Sequence, residues 1–196
     1  VAKDTFHSLW EYDEDVKDYL KKKKSLSGYN GKIYIPDEFL LDVDGTDTAT
    51  AKMKTLSLLK LLKERNVPYN IYFSGRGFHI GIPNTAFRWE PSADLHLKVK
   101  DELNKHGLFA FADPSVTDKT RIIRLNSTLN TKSKLWKVYM TEGELTAMNS
   151  LDIKEFAQRP RRNVDIPTLE AVNPVFDCMA RTKKKESKAY ISDMGQ

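Results

Sequence analysis

The chain has 196 residues, of which 40% are hydrophobic and 30% are charged, and its formal net charge is +5. This composition is typical of a soluble globular protein with one domain, or with one domain and a small appendage. The positive excess indicates either a polyanionic partner or solvated surface lysines. The single cysteine excludes an internal disulfide and a zinc site of the CxxC type. No apolar run approaches the roughly 18 residues that a membrane helix needs. We therefore expect a cytoplasmic protein without a signal peptide or a membrane partner.

Hydrophobic periodicity predicts the first elements of the chain. Apolar residues at helical spacing predict an exposed helix over 8–24, and an apolar run predicts a strand over 38–43. Thr48 is placed to cap a helix that ends near residue 66. Residues 69–73 and 78–82 flank the turn SGRG and predict a β-hairpin.

The remaining elements continue the alternation of helices and strands. We expect a helix from Ser92 to Gly107, short helices from Ser150 and Pro167, and strands over 108–112, 121–125 and 135–140. The pattern predicts a mixed α/β (α+β) fold rather than a purely parallel sheet. We expect a main domain over 1–145, and a helical extension with a basic linker and tail over 146–196.

The stretch FLLDVDGTDT, residues 39–48, places two aspartates at the end of a strand. Asp42 and Asp44 point to the same side of an extended strand, with Cα atoms roughly 7 Å apart. Two such carboxylates are suited to hard divalent cations, and Gly45 lets the chain turn away. The alternative is a polar Asp-Gly turn that ends the strand.

The stretch also begins like the Asp-x-Asp-Gly-Thr motif of phosphohydrolases of the haloacid dehalogenase type. Ser74 could supply the serine that this family needs at the end of a second strand. However, no late acidic pair follows a strand in the sequence, and Asp47 stands where that family usually has an apolar residue. These two departures disfavour the phosphohydrolase interpretation.

The hairpin YFSGRGFHIGIP carries the second group of candidate residues. His79 and Gly81 lie on the face opposite the apolar residues of the return strand, and we expect Gly81 to leave room for a ligand. Glycine-rich turns expose backbone N–H groups to anions. Ser74, Arg76 and His79 are therefore candidates for binding a triphosphate, and the alternative is an ordinary hairpin with a surface histidine.

The third group lies in the stretch from Asp113 to Lys132. Asp113 is a candidate third carboxylate, with Asp118 as its competitor, and the basic residues Arg121, Arg124 and Lys132 are candidates for neutralising phosphate charge. In a regular strand Arg121 and Arg124 would face opposite sides. Either a bulge realigns the two arginines, or one of them is structural.

The three stretches, in this order, resemble the archaeo-eukaryotic primase superfamily, which includes primase-polymerases of phages, plasmids and eukaryotes. The family carries an acidic D-x-D or D-x-E motif, an S-x-H-like motif on a hairpin, and a later aspartate after an apolar residue. The matching positions are Asp42 and Asp44, then Ser74 to His79, then Asp113. The segment from Asp113 through Val116 to Arg121 and Arg124 is also similar to the primase-polymerase pattern D-x-x-V-x-x-x-x-R-x-x-R, which favours Asp113 over Asp118.

The resemblance, which covers residues 38–140, implies a catalytic RRM-like sheet beside a smaller α/β module. It implies template-directed nucleotidyl transfer in DNA replication, from NTPs or dNTPs, on a single-stranded DNA template. Two Mg²⁺ or Mn²⁺ ions would be held by Asp42, Asp44 and Asp113. The incoming nucleotide would be bound by six residues: Ser74, Arg76, His79, Arg121, Arg124 and Lys132.

Some members of this family have further modules. The chain lacks the Cys/His cluster of a zinc module, and a helicase partner, fused or separate, would lie outside this sequence because it has no P-loop. The basic runs at 21–24 and 159–162 are candidate contacts to template phosphates. Two alternatives to the polymerase remain: the phosphohydrolase described above, and a single-stranded nucleic-acid-binding module without catalysis.

Overall fold

The computed structural model describes residues 2–161 and 163–179, which form short strands and five α-helices. The prediction of a mixed α/β protein is therefore confirmed. The strands are β1 Phe6–Ser8, β2 Glu11–Tyr12, β3 Ile33–Tyr34, β4 Glu38–Val43, β5 Asn70–Phe73, β6 Phe78–Pro83, β7 Phe87–Arg88, β8 Ile122–Arg124, β9 Leu129–Asn130, β10 Leu135–Trp136, β11 Val138–Met140 and β12 Phe176–Asp177. The helices are α1 Val16–Lys23, α2 Thr48–Glu64, α3 Leu95–Lys105, α4 Glu142–Ala147 and α5 Ser150–Phe156.

A four-stranded antiparallel sheet carries the candidate residues, in the order β11-β5-β6-β4. Its β5 and β6 strands are the predicted hairpin. Apolar residues at every second position, including Phe39, Leu41, Phe78 and Ile80, are fully buried on one face. This alternation is what a sheet with one face against the core requires.

Helix α2 belongs to the same hydrophobic core as the apolar face of the sheet. Leu58, Leu59 and Leu62 are its buried leucines, and burial of each such side chain contributes about 1.5–3 kcal/mol. The helix is capped by Asp47 rather than by Thr48, because the Asp47 carboxylate accepts a 2.7 Å hydrogen bond from the Thr50 N–H group. The loop between β4 and α2 is therefore fixed at its helix end.

The opposite face of the sheet is polar. Asp42 in β4 pairs with His79 in β6, and His79 pairs in turn with Tyr72 in β5. Directly paired residues lie on the same side of a sheet, so these three side chains form one row across it. This face is partly covered, because Tyr72 and His79 are both buried.

Four smaller strand pairs surround the central sheet. The pairs β1–β8, β2–β3 and β9–β10 are antiparallel, and β7–β12 is parallel. In the β1–β8 pair, Phe6 lies opposite Arg124. This pairing connects the start of the chain to the third candidate stretch.

The predicted N-terminal helix over 8–24 is wrong in its first half. The structure has strands β1 and β2 there, and only α1 is helical. Leu9 and Trp10 are 1% and 2% exposed, and the Trp10 indole donates to the Asp118 carbonyl at 3.1 Å. Long-range burial of these two side chains, rather than local periodicity, determines the conformation of the segment.

Three other predicted elements differ in detail. Residues 108–112, predicted as a strand, contain a single 3₁₀ turn over Leu108–Ala110, which follows Gly107 with its positive φ of 78°. The helix predicted from Ser150 is capped by Asn149. The helix predicted from Pro167 does not form; instead, the Pro167 carbonyl accepts a hydrogen bond from the Asn70 side chain.

The described part of the C-terminal extension packs into the same core as the preceding residues. Ile153, Ala157 and Phe176 are fully buried there, and Phe176 pairs with Phe87 across the β7–β12 ladder. Among the described helices, none has the length and apolar character needed to cross a membrane.

Candidate active site

The first carboxylates lie where β4 ends. Asp42 is the penultimate residue of the strand, and its side chain is 13% exposed. Asp44 follows the strand and is exposed to solvent, while the Lys54 ammonium donates to the Asp44 carbonyl at 3.1 Å. The strand end and helix α2 therefore hold the two aspartates in place.

Asp113 reaches the same place through a direct backbone contact. Its N–H group donates to the Asp42 carbonyl at 2.8 Å. Its carboxylate caps a 3₁₀ turn over Pro114–Thr117 and accepts from the N–H and hydroxyl of Ser115, at 2.9 and 2.5 Å. Asp118, the competing acid, is exposed outside the residues that line the site.

Arg121 lies between the carboxylates of Asp42 and Asp113. Its Nη2 atom is 2.8 Å from Asp42 Oδ2 and 3.6 Å from Asp113 Oδ2. Its Nη1 atom donates to the Ser115 hydroxyl at 3.0 Å. One guanidinium thus links the first and third stretches and neutralises part of their negative charge.

The protonation of these acids reflects their crowding. Burial, and then the charge of Asp44, raise the pKa of Asp42 to about 6, although Arg121 opposes this and Asp113 adds a smaller increase. Burial also raises the pKa of Asp113, but the hydrogen bonds from Ser115 and the charge of Arg121 outweigh it, so that the pKa is lowered overall. A cation close to Asp42 would therefore lower its pKa, because it would favour the charged carboxylate.

The hairpin tip packs directly against the aspartates. A Cβ atom on Gly77 would lie 2.4 Å from the Val43 carbonyl oxygen and 2.8 Å from Asp44 Oδ1, so a side chain at this position would displace the tip. The Ser74 hydroxyl accepts a 3.3 Å hydrogen bond from the Gly77 N–H group. Arg76 is exposed at the tip.

His79 is buried beneath the carboxylates rather than at the surface. It is 5% exposed, and its Nε2 atom is 3.6 Å from Asp42 Oδ1. Burial, followed by the charges of Lys137 and Arg121, lowers its pKa well below the ordinary value, so the imidazole is neutral near pH 7 and forms no ion pair with Asp42. Its Nδ1 atom is buried without a hydrogen-bond partner among the described residues.

Arg121 and Arg124 both line the site, without a bulge. Strand β8 begins at Ile122, so Arg121 precedes it and is not restricted to one face. Arg124 donates to Asp4 at 2.8 Å, and its guanidinium lies 4.8 Å from the centre of the Phe6 ring. Arg124 is therefore held in part by structural contacts, as one of the two alternatives anticipated.

These residues surround one cleft of about 210 Å³. Seven of the nine candidates line it: Asp42, Asp44, Ser74, Arg76, His79, Arg121 and Arg124. Asp113 lines an adjoining depression together with Asp44 and Lys54. Lys132 is the exception, since it lines a second cavity that touches the cleft through Arg76.

A polar layer beneath the cleft, formed by Lys137, Tyr72 and Glu38, was not predicted from the sequence. Lys137 is 1% exposed, donates to the Arg124 carbonyl at 2.7 Å and lies 5.1 Å from the centre of the Tyr72 ring. The Tyr72 hydroxyl donates to the Glu38 carboxylate. Glu38 lies two residues from Leu40 and four from Asp42 in β4. Residues at such even spacing share one face of a strand, and this spacing could have predicted that Glu38 lies on the face of Asp42.

The space beside Gly81 is occupied by protein. A Cβ atom on Gly81 would lie 1.9 Å from Glu38 Oε1. The expectation that Gly81 leaves room for a ligand is therefore wrong, because the Glu38 side chain crosses this position to reach Tyr72.

The basic runs differ in their surroundings. Lys21 to Lys24 are exposed on and after α1. Arg161 instead donates to the Tyr139 carbonyl at 3.0 Å and to Glu144 at 2.7 Å, so its role is at least partly structural. Arg162 lies outside the described residues.

Asp42, Asp44 and Asp113 offer carboxylate oxygens that fit a divalent cation only in part. In the described ranges, no group of three or more His, Cys, Asp or Glu side chains is close enough to hold a metal ion. The Oδ2 atom of Asp42 is also engaged by Arg121. The oxygens of Asp42, Asp44 and Asp113 are nevertheless the ligand type that Mg²⁺ and Mn²⁺ prefer. Burial, and then the charge of Asp44, raise the pKa of Asp42, and a nearby cation would oppose both effects.

Comparison of the chain with models of protein families, with curated proteins and with solved structures finds no match. The functional interpretation therefore depends on the residues and their geometry.

Proposed function

We propose that this chain catalyses template-directed nucleotidyl transfer, as a primase or primase-polymerase that acts in DNA replication. The observation that carries the proposal is the convergence of three motifs, distant in sequence, on one cleft of about 210 Å³ and its adjoining depression. Acids and cations must meet in this way for nucleotidyl transfer, because the metal-binding carboxylates and the triphosphate-binding cations act on the same nucleotide.

The finer fold belongs to the same proposal. The four-stranded antiparallel sheet with α2 on one face would be the RRM-like catalytic sheet of an archaeo-eukaryotic primase. The strand pairs that surround it would belong to the smaller α/β module. A fold alone does not determine an activity, so it is the residues of the cleft that support nucleotidyl transfer.

Asp42, Asp44 and Asp113 would hold Mg²⁺ or Mn²⁺. Such ions supply activation of the attacking 3′-hydroxyl and stabilisation of the leaving pyrophosphate. The carboxylates would be the fixed part of the site, because Asp113 is bonded to the Asp42 backbone and to Ser115.

Arg121 would change partners when substrate binds. In the structure it neutralises Asp42 at 2.8 Å. Once that carboxylate binds a cation, the guanidinium would be released to bind phosphate oxygens, for which its planar fork of donors is suited. Arg124 and Arg76, on the other sides of the cleft, would bind the same triphosphate.

His79 would orient a phosphate as a neutral hydrogen-bonding group. A base with a pKa well below the working pH is a weak proton acceptor, and burial and the cationic neighbours keep the pKa of His79 low. Ser74, at the start of the hairpin turn, would offer its hydroxyl to the same phosphates.

One observation favours a second candidate, a nucleic-acid-binding module without catalysis. Arg121 is paired with Asp42, and the part of the chain that the structure describes has no group of three metal ligands. In such a module Arg121 would stay on Asp42, and strand binding would not depend on divalent cations.

The test is a polymerase assay with single-stranded DNA, labelled NTPs or dNTPs and Mg²⁺ or Mn²⁺, with and without a primer. The variant is Asp42→Ala/Asp44→Ala, and Asp118→Ala is the matched control because Asp118 is exposed outside the cleft. We expect products that require template, metal and both aspartates, with full activity in the control.

The other outcomes identify the alternatives. Absence of products, with strand binding unchanged by metal or by the double substitution, would establish the binding module. Release of inorganic phosphate from small phosphoesters without a template would establish the phosphohydrolase. The unprimed reaction separates a primase from an enzyme that only extends primers.

A further inference from the structure

A second cavity, of about 430 Å³, lies beside the cleft, and we call it the hairpin-tip cavity. Its walls come from four parts of the chain: the hairpin tip at Arg76, the start of α2 at Thr48, the β9–β10 turn at Lys132, and α5 at Lys154. Leu135 adds an apolar wall. The cavity thus combines basic side chains with apolar surface.

The basic side chains of this cavity form no close ion pairs with protein groups. Arg76, Lys132 and Lys154 are all exposed, and none of them forms an ion pair with another described residue. Asp47 is the acid in the lining, and its carboxylate caps α2. The cap hydrogen bonds from Thr50, and to a smaller extent the charge of Lys154, lower the pKa of this carboxylate. Three cations against one carboxylate leave the lining with an excess of positive charge, which favours anions.

The hairpin-tip cavity adjoins the carboxylate cleft. Arg76 and Asn130 line both. The Asn130 side chain accepts from the N–H groups of Lys132 and Ser133 at 3.0 and 3.2 Å, which fixes the β9–β10 turn beside both spaces. A ligand that fills the cavity would therefore reach Arg76 at the edge of the cleft.

We infer that the hairpin-tip cavity binds nucleotide phosphate groups, and specifically a segment of the nucleic-acid strand that enters the cleft. The phosphodiester would contact Lys132, Lys154 and Arg76, and the sugar and base would lie against Leu135. That the bound strand leads into the cleft rests on the proposed function. Binding at the cavity itself can be measured without catalysis.

The strand is favoured over a free nucleotide by the distribution of charge. The cleft already presents Arg121 and Arg124 beside the carboxylates, which is where a reacting triphosphate must lie. Lys132 and Lys154 lie in the other space, on exposed elements that a passing strand can reach. Backbone contacts of this kind position a strand without reading its sequence.

The test compares strand binding by the full chain and by Lys132→Gln/Lys154→Gln. Fluorescence anisotropy is measured with a labelled oligothymidylate, without divalent cations, over a range of salt concentrations. The matched control is Lys60→Gln/Lys100→Gln, which removes the same charge from exposed positions on α2 and α3. Thermal melting establishes that both variants are folded.

We expect the cavity variant to bind about tenfold more weakly at moderate salt, and its salt slope to fall by about 1.4, because each phosphate contact with a single strand contributes about 0.7. The control should keep the slope of the unchanged protein. Equal binding by the two variants would overturn the inference. Unchanged strand binding with weakened binding of ATP alone would overturn the strand assignment and make the cavity a mononucleotide site.

The polymerase assay separates this inference from the proposed function. If the full chain makes no product but the cavity variant still loses strand affinity, the cavity assignment stands and the proposed catalysis fails. If the enzyme is active, the cavity variant should raise the KM for template and leave the KM for the nucleotide unchanged. A change in the nucleotide KM alone would contradict the strand assignment.

Discussion

The guanidinium of Arg121 donates a 2.8 Å hydrogen bond to the carboxylate of Asp42, at the point where the candidate metal site would form. We expect Arg121 and a divalent cation to compete for this carboxylate, because the arginine already engages its Oδ2 atom. A cation that binds Oδ2 would displace the arginine, which would then be available for a substrate.

Replacing Arg121 tests this competition. Arg121→Gln should lower the free energy of unfolding by about 1–2 kcal/mol in metal-free buffer, since a partly buried carboxylate loses its charged partner. Mn²⁺ should raise the melting temperature more in the variant than in the unchanged protein, because no arginine has to be displaced. The measurement is thermal unfolding with and without Mn²⁺.

Arg124→Gln is the matched control for that comparison. Arg124 is also ion-paired, but its partner is Asp4, so its loss should destabilise the chain and change the Mn²⁺ response much less. An equal Mn²⁺ effect in the two variants would contradict the competition.

The pKa of Asp42 gives the site a pH dependence. Because the pKa is raised from 3.8 to about 6, the folded chain binds more protons than the unfolded chain between these values, and this group's contribution to stability falls as the pH rises through that window. Protons and cations compete for the carboxylate, so stabilisation by Mn²⁺ should be present at pH 7.5 and decline below pH about 6.

The titration is measurable directly from the carboxyl carbon of Asp42 by NMR in metal-free buffer. We expect a midpoint near 6, which should fall in Asp44→Asn because the Asp44 charge raises it. The midpoint should rise in Arg121→Gln. A midpoint at the ordinary aspartate value would show that the carboxylates are not crowded in solution.

Lys137 provides a second, independent pH signature. Burial lowers its pKa from 10.5 to about 7, although Glu38 and Asp42 oppose the change. Between these values the unfolded chain binds more protons, so this group makes the protein more stable as the pH rises from about 7 to 10.5. Lys137→Met should lack this increase. Its stability relative to the unchanged protein should be greatest near pH 6, where the buried lysine is charged.

The measurement is the free energy of unfolding of the unchanged protein and of Lys137→Met at pH 6, 8 and 9.5. The difference between the two proteins at each pH cancels the titration of the other groups. The loss of the hydrogen bond to the Arg124 carbonyl opposes the gain by about 0.5–1.5 kcal/mol at every pH. A difference that does not vary with pH would mean that Lys137 is charged throughout.

The elements that sequence reasoning predicted correctly are those with strong local signals. Strand β4, the β5–β6 hairpin and α2 follow from apolar alternation, glycine-rich turns and helical periodicity, and these elements position Asp42, Ser74 and His79. Their side-chain directions follow from the parity of the strands. This is why most candidate residues were found to line one cleft.

The elements that were missed depend on distant contacts. Leu9 and Trp10 pack into the core and prevent a helix, and the 108–112 segment forms a turn although it is as apolar as a strand. The predicted 135–140 strand is two short strands with Lys137 buried between them. A lysine in an apolar stretch carries no local signal that it will be buried beneath a cleft.

The close approach of Gly77 to the aspartates yields the last prediction. A Cβ atom at Gly77 would lie 2.4 Å from the Val43 carbonyl and 2.8 Å from Asp44 Oδ1, so Gly77→Ala must move the hairpin tip or the strand end. We expect destabilisation of about 1–3 kcal/mol and loss of metal-dependent activity, because Asp44 shifts relative to Asp42.

Gly143→Ala in α4 is the control: nothing lies within 4 Å of its Cβ position, and alanine should stabilise the helix by about 0.5–1 kcal/mol. Urea unfolding of both variants, with the polymerase assay beside it, measures the two effects. If Gly77→Ala is as stable and as active as Gly143→Ala, then the contact between the hairpin tip and Asp44 does not determine the geometry of the site.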